Sequence, residues 1–201
     1  MSDARIEAIY PLEHIRFPAS FDAPWVGILH GVFSAEECAE LIARLESEHL
    51  SPAPINSFAG EIMNPNVRNN DRVIFDDVAL AERLFERARM HFPQSLYAQQ
   101  LVSFNERFRG YRYKPGQKFA PHYDTTYTRS AVEQSHLTIL VYLNDDCVGG
   151  ETQLISYDIT VKPRAGSLLF FSHTMYHEGA EVTSGSKYVL RTDAMYRHTK
   201  R

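Results

Sequence analysis

Cysteine is nearly absent from this 201-residue chain. Cys38 and Cys147 stand alone, so neither a disulfide framework nor a cysteine zinc site is expected, and a reducing, cytoplasmic setting fits. An excess of basic residues is missing too. Lys and Arg total 21 against 25 Asp and Glu, a net charge of −4 with His neutral, which argues against a polyanion surface and for no nucleic-acid partner. No stretch approaches the ~18 uninterrupted apolar residues of a membrane span. Met1 to Pro11, carrying Asp3, Arg5 and Glu7, also lacks the apolar stretch of a leader peptide. The expectation is a soluble chain that is not exported and has no membrane partner. Repeats and low-complexity tracts are absent, which removes solenoids and propellers. What remains, 44% hydrophobic and 12% aromatic, has an ordinary globular composition and the length of one elaborated domain.

The texture changes near residue 100. Before it, Ser34-Ala35-Glu36-Glu37 has the form of a capping box, and Cys38, Leu41, Ile42 and Leu45 follow at helical spacing. A second helix is predicted from Asp77 to His91, with Leu80, Ala81, Leu84 and Ala88 apolar among charges. Between the helices, Ser51 to Asp76 is rich in Pro and Asn and is expected to be a long loop. After residue 100 the pattern turns to short β-type runs: Phe108 to Tyr113, Leu137 to Leu143, Glu151 to Ser156, Ser167 to Ser172 and Tyr188 to Tyr196. Turn residues such as Pro115-Gly116 and Gly149-Gly150 separate them, which points to a sandwich or barrel. The division is therefore a helical and loop elaboration over 1–100, packed on a β core over 101–201, as one structural domain.

Nine histidines are the more informative count. In His122-Tyr123-Asp124, an extended backbone turns the imidazole and the carboxylate to the same side, where they can converge on a metal. A third ligand would complete a two-His-one-carboxylate facial triad, which leaves three positions of an Fe(II) ion open. His177, just past the apolar run Leu168 to Phe171, is the best candidate. His173, four residues earlier at a strand end, is expected to support the site rather than bind metal. The segment Asn64 to Arg72 is expected to be a solvated loop. The functional alternative is a patch of Arg68, Arg72, Arg107, Arg109 and Arg112 that accepts carboxylates.

The run Tyr113-Lys114-Pro115-Gly116-Gln117-Lys118-Phe119-Ala120-Pro121-His122-Tyr123-Asp124 resembles the iron-binding strand of prolyl 4-hydroxylases and related 2-oxoglutarate-dependent oxygenases. Thr138 to Asn144, Gly149 to Thr152, Val161 to Pro163, Leu168 to Phe171 and His177-Glu178-Gly179 are similar to the strands and turns that follow in that family, in the same order. The resemblance spans about Arg109 to Tyr196. It implies a mainly β fold with flanking helices around a double-stranded β-helix, or jelly roll. It also implies an Fe(II) enzyme that consumes 2-oxoglutarate and O2, with ascorbate as an optional reductant, and hydroxylates an unactivated C–H bond. His122, Asp124 and His177 would be the metal ligands. Lys187, ten residues after His177, would anchor the far carboxylate of 2-oxoglutarate, with Arg191 as rival or second contact. Tyr113, Thr138 and Tyr142 would wall the co-substrate. Asp193 departs from the family pattern. The substrate is left open between a peptidyl proline or other peptide side chain and a free amino acid or small metabolite. An inert 2-oxoglutarate-binding module and a cupin-like enzyme of another metal are the rival readings. The oligomeric state is open.

Overall fold

The strand Glu133–Tyr142 shows why this chain folds into layers. Its Leu137, Ile139 and Val141 are buried in one apolar cluster, while Tyr142, on the opposite face, is buried in another. Leu168–Ser172 divides the same way, with Leu168 and Phe170 on one side and Leu169 and Phe171 on the other. Both strands carry apolar residues on each face, so each face must be covered.

The computed structural model describes residues 5–7, 25–57 and 60–198. Thirteen of the fifteen strands in its two main sheets frame the site. In chain order they are β1 (Arg5–Glu7), β2 (Val26–His30), β3 (Ser51–Pro52), β4 (Asp71–Asp76), β5 (Gln99–Phe104), β6 (Arg107–Tyr113), β7 (Phe119–His122), β8 (Glu133–Tyr142), β9 (Thr152–Leu154), β10 (Ile159–Val161), β11 (Leu168–Ser172), β12 (His177–Gly179) and β13 (Lys187–His198). The larger sheet runs β1-β2-β11-β8-β13-β6-β4-β3, with β5 also paired to β13. The smaller runs β7-β12-β9-β10. From β6 onward the chain moves between the sheets, so strands remote in sequence become neighbours and the two layers wind as a jelly roll. The fold is mainly β with two flanking helices, as the resemblance implied.

The helices α1 (Ala35–Ser47) and α2 (Val78–Ala88) contribute to the cluster on the outer face of the large sheet through Cys38, Leu41, Leu45, Leu80, Ala81, Leu84 and Ala88. The capping box forms: the Glu37 N–H donates to Ser34 Oγ at 3.2 Å, and the Ser34 N–H donates to Glu37 Oε2 at 2.9 Å. Such a cap contributes about 1 kcal/mol. Asp77 caps α2 by accepting from the Leu80 N–H. Gly166 ties this layer to the sheet: its φ is +73°, its carbonyl accepts from Val32 and Phe33, and a Cβ there would lie 2.1 Å from the Phe33 oxygen.

Two expectations about the N-terminal half need correction. Ser51 to Asp76 is not a loop: apart from residues 58–59, which lie outside the described residues, it contains β3, the pair Ile55–Ser57 and Gly60–Ile62, and β4. β4 bonds β6 along its whole length, from Asp71↔Arg112 to Asp76↔Arg107. Long-range pairing satisfies a backbone whose local composition favours turns. β2, between Trp25 and Gly31, likewise joins the large sheet beside β11. Met1 to Pro11, apart from Arg5–Glu7, lies outside the described residues. No helix among the described residues is long and apolar enough to cross a membrane.

Candidate metal centre and co-substrate pocket

His122 and His177 are 55 positions apart in sequence and directly opposite each other in space. β7 pairs antiparallel with β12, with the two histidines as Cα partners, and β12 is held on its other side by β9 through Leu154↔His177. Directly opposed residues on antiparallel strands bring their side chains together. Asp124 follows two residues after His122, just past the end of β7, and its carboxylate turns to the same point. Donor atoms of the three residues lie within 4.8 Å of one another. His177 Nε2 is 3.6 Å from Asp124 Oδ2, and His122 Nε2 is 3.9 Å from Oδ1.

The surroundings fix which atoms face the centre. The Nδ1 of His122 is 2.9 Å from the Ala120 carbonyl and that of His177 is 2.9 Å from the Met175 carbonyl, so both rings donate at Nδ1 and aim an Nε2 lone pair inward. Phe119 stacks on His122 at 3.5 Å, and Phe171 packs edge-on against His177. Burial pushes His122 down to about 4, the neighbouring His177 adding to the effect, and burial lowers His177 as well. Burial alone would raise the Asp124 carboxyl. Arg191, His177 and His122 outweigh it and hold that group far below the usual carboxylate range. Two neutral imidazoles and one carboxylate, all deprotonated at neutral pH, make a donor set suited to a divalent ion of the first transition row.

Both carboxylate oxygens are held from behind. Arg191 Nη2 reaches Oδ1 at 3.0 Å, and the Thr138 hydroxyl donates to Oδ2 at 2.5 Å. Thr138 Oγ1 accepts in turn from His173 Nδ1, at 2.9 Å, and His173 Nε2 accepts from Ser135 Oγ at 2.8 Å. The Tyr127 N–H donates to Ser135 Oγ. Because Thr138 commits its hydroxyl proton to Asp124, a neutral His173 carries its proton on Nδ1. Burial pushes it down to about 4.

The centre opens into a cavity of about 280 Å³ between the sheets. Tyr113, Lys187 and Arg191 line it, whereas Thr138 and Tyr142 stand behind it: Thr138 faces Asp124 and His173, and the Tyr142 hydroxyl donates to Thr152 Oγ1 at 2.8 Å. Lys187, Val189, Arg191 and Asp193 alternate along β13 as expected, but the two cations differ. Arg191 is committed to acids, reaching Asp193 Oδ1 at 3.3 Å besides Asp124. Lys187 is 3% exposed, donates to the Gly150 carbonyl at 2.5 Å and lies over the rings of Tyr113 and Tyr142 at 5.1 and 5.6 Å. Among the described residues no carboxylate lies within ion-pair distance of it. Burial pushes its ammonium down to about 8.

The Asn64 to Arg72 segment departs from the solvated-loop expectation. The Ala120 N–H donates to the Val67 carbonyl at 2.8 Å, Arg68 bridges Phe119, and Arg68 and Asn70 are buried. The patch of five arginines does not assemble. Arg68, Arg72 and Arg109 line the cavity, while Arg112 pairs with Glu46 and Asp71, and Arg107 with Asp76. Arg191's second acid, Asp193, and the stacked Phe119 carry no motif signal; only the alternation on β13 pointed to Asp193.

Residues 108–192 match the family model of the 2OG-Fe(II) oxygenase superfamily. Prolyl 4-hydroxylase 1 of Arabidopsis thaliana is 26% identical over 191 residues, covering 83% of this chain and 67% of that protein. Among solved structures, a viral collagen prolyl hydroxylase from Paramecium Bursaria Chlorella virus-1, in its 2OG complex, superposes with a TM-score of 0.64 at 23% identity, covering 86% of this chain and 96% of that one. A Trichoplax adhaerens prolyl hydroxylase, in complex with a peptide fragment of the hypoxia inducible factor oxygen degradation domain, gives 0.63 at 15% identity, covering 84% and 82%.

Proposed function

We propose, from the premise that this chain belongs to the prolyl 4-hydroxylase-like 2OG-Fe(II) oxygenases, that His122, Asp124 and His177 hold the iron, that Lys187 anchors the far carboxylate of 2-oxoglutarate, and that a prolyl residue of a peptide is hydroxylated. The chain is a 2-oxoglutarate-dependent dioxygenase, working as one structural domain. The alternatives of an inert binding module and of chemistry without 2-oxoglutarate are not favoured. The observation that carries the ligand and anchor assignments is the pairing of a deprotonated His-Asp-His cluster with a buried, counter-ion-free lysine on the same cavity wall.

When bound, Fe(II) couples reduction of O2 to oxidative decarboxylation of 2-oxoglutarate, so that one oxygen atom enters succinate, one enters the substrate as hydroxyl, and CO2 leaves. The chain's own residues prepare that reaction. The carbonyls of Ala120 and Met175 hold the imidazoles in the tautomer that leaves Nε2 free, and Thr138 and Arg191 pin the two oxygens of Asp124. A dianion needs a cation at its far end, and Lys187 has no carboxylate within ion-pair distance among the described residues. The Tyr113 ring beside Lys187, with Leu140 and Val189, gives an apolar wall against the methylenes and keeps water away. Arg191, on the same strand face four residues away, is taken up by Asp124 and Asp193, so it serves the metal end.

The test is anaerobic thermal unfolding of metal-stripped protein with Mn(II), with and without 2-oxoglutarate. Co-substrate at ~100 times its Kd should add about 2.7 kcal/mol of apparent stability, and only when metal is present. His177→Ala should lose the metal dependence, and Lys187→Ala the 2-oxoglutarate increment. A folded, Mn(II)-loaded wild type that shows no increment would overturn the proposal.

A further inference from the structure

Two buried cations on the cavity wall lack an acid, and 2-oxoglutarate accounts for only one. Lys187 is the first; the second is Arg68, 5% exposed. Its Nε donates to Asn70 Oδ1 at 2.8 Å, and its guanidinium lies over the rings of Tyr111 and Phe119 at 4.7 and 4.3 Å. Its Nη2 is buried with no hydrogen-bond partner, and among the described residues no carboxylate is within ion-pair distance of Arg68. The other cations of the wall each have an acid: Arg72 has Glu61, Arg109 has Asp193, and Arg191 has Asp124 and Asp193, although Arg191 Nε is itself buried without a partner. A buried guanidinium with an idle donor and no counter-ion is a costly arrangement in a folded chain. Its fork suits a carboxylate, which can accept two parallel N–H bonds.

The position is fixed relative to the metal centre. Arg68 stacks on Phe119 and Phe119 stacks on His122, so guanidinium, ring and imidazole form three layers. The backbone bridge between Arg68 and Phe119 and the bond from Ala120 to Val67 hold those layers together. Beside them, burial would raise the Tyr111 phenol, but Arg68, Arg191 and Arg109 outweigh it and hold the group below its ordinary value, a mark of a cavity end that favours negative charge.

We propose that the hydroxylated substrate presents a carboxylate to Arg68, within one residue's length of the carbon that reacts. This deepens the prolyl reading and rests on it. The carboxylate comes either from the α-carboxyl of the target residue itself or from an acidic side chain next to it in a peptide.

Four probes separate these cases on Mn(II)- and 2-oxoglutarate-loaded protein without oxygen: N-acetyl-L-proline against N-acetyl-L-prolinamide, and acetyl-prolyl-aspartyl amide against acetyl-prolyl-asparaginyl amide. Binding is read by titration calorimetry, and succinate release in air by the same protein loaded with Fe(II) instead of Mn(II) is read as a second measure. At least one acid is expected to bind tenfold or more tighter than its neutral twin in the wild type; which pair shows the preference names the source. Arg68→Gln should reduce that preference to less than twofold, and Arg68→Lys should restore part of it. A purely structural role for the stacked arginine would leave the acid-to-amide ratio unchanged. The proposal is overturned if no acid outbinds its twin in the wild type, including the case in which none of the four binds, or if Arg68→Gln keeps the preference. It is also overturned if Arg68→Gln loses 2-oxoglutarate binding while Lys187→Ala retains it, since Arg68 would then be the co-substrate anchor. Loss of the metal-dependent 2-oxoglutarate shift in the wild type would instead break the proposed function. The wild-type comparison stands even if a variant fails to fold.

Discussion

Replacing Lys187 by methionine should make the metal-free protein more stable at neutral pH and less stable at high pH. Burial lowers the Lys187 ammonium from 10.5 to about 8. Each pKa unit is 1.36 kcal/mol between protonation states, so the folded chain bears a penalty of about 3 kcal/mol below pH 8. The sign follows from linkage: between about pH 8 and 10.5 the unfolded chain keeps a proton that the folded chain has released, so wild-type stability rises with pH across that window. Methionine fits the same slot over the tyrosine rings without the charge, but it cannot donate to the Gly150 carbonyl, a loss of about 1 kcal/mol. The net expectation for Lys187→Met is a gain of about 2 kcal/mol at pH 7, roughly 4–8 °C in Tm for a chain of this size, turning into a small loss at pH 10.5. Paired thermal melts of wild type and variant across pH 7 to 10.5 cancel the other titrating groups. A variant less stable than wild type at pH 7, or a difference that does not change with pH, would refute the buried-charge reasoning. The same pKa sets ligand binding. At pH 9 about a tenth of the apo protein is protonated at Lys187, so the apparent Kd for 2-oxoglutarate should rise about tenfold from its value at pH 7.

Gly150→Ala should weaken 2-oxoglutarate binding measured by calorimetry and cost about 1–3 kcal/mol of stability, because the position has φ +73° and its Cβ would lie 3.0 Å from Lys187 Cδ and 2.9 Å from Val182 Cγ2. Unchanged binding would show that Lys187 needs no clearance there. Thr138→Val keeps the shape but strands the buried His173 Nδ1–H and frees Asp124 Oδ2, so it should cost about 1–3 kcal/mol in a denaturant melt and weaken Mn(II) binding, while Thr138→Ser should restore most of both. Equal Mn(II) affinity in the valine variant would remove Thr138 from the support of the metal site.

The parts of this molecule legible in the sequence are those that local physics dictates. The Ser34 cap, the apolar stripe of α1 and the alternation of Lys187, Val189, Arg191 and Asp193 each depend on residues a few positions apart. His122 and Asp124 were readable for the same reason. The β4 strand was not, since Asp71–Asp76 is extended by its bonds to β6, more than thirty residues later, while its neighbours Asn69 and Asn70 signal a turn. The burial of Arg68 was equally hidden: an arginine in a Pro- and Asn-rich stretch has the composition of a solvated loop, and only the bridge to Phe119 draws it inside. His173 sat within view of His177, but its role depends on two hydroxyls, Ser135 and Thr138, on the neighbouring β8 strand.

Two cations on one strand face invite the idea that either could anchor a dicarboxylate, and the proposal of Lys187 rests on charge balance. Arg191 is the stronger hydrogen-bond donor of the two, with a fork that suits a carboxylate. Two acids already meet its Nη2: Asp124 and Asp193 outweigh the effect of burial and raise its pKa further above the ordinary value, so its charge is both permanent and compensated, although its Nε is buried without a partner. An incoming carboxylate would meet a charge that Asp124 and Asp193 already offset, and competition for the Nη2 that holds Asp124 would disturb the His-Asp-His cluster. Lys187 is the reverse case. Its charge is held at a cost, against one carbonyl and two ring faces, and a carboxylate that reaches it removes the cost as well as adding a bond. The proposed anchor is therefore the weaker donor, because binding free energy is a difference between states and the unliganded state of Lys187 is the one that the fold leaves unfavourable.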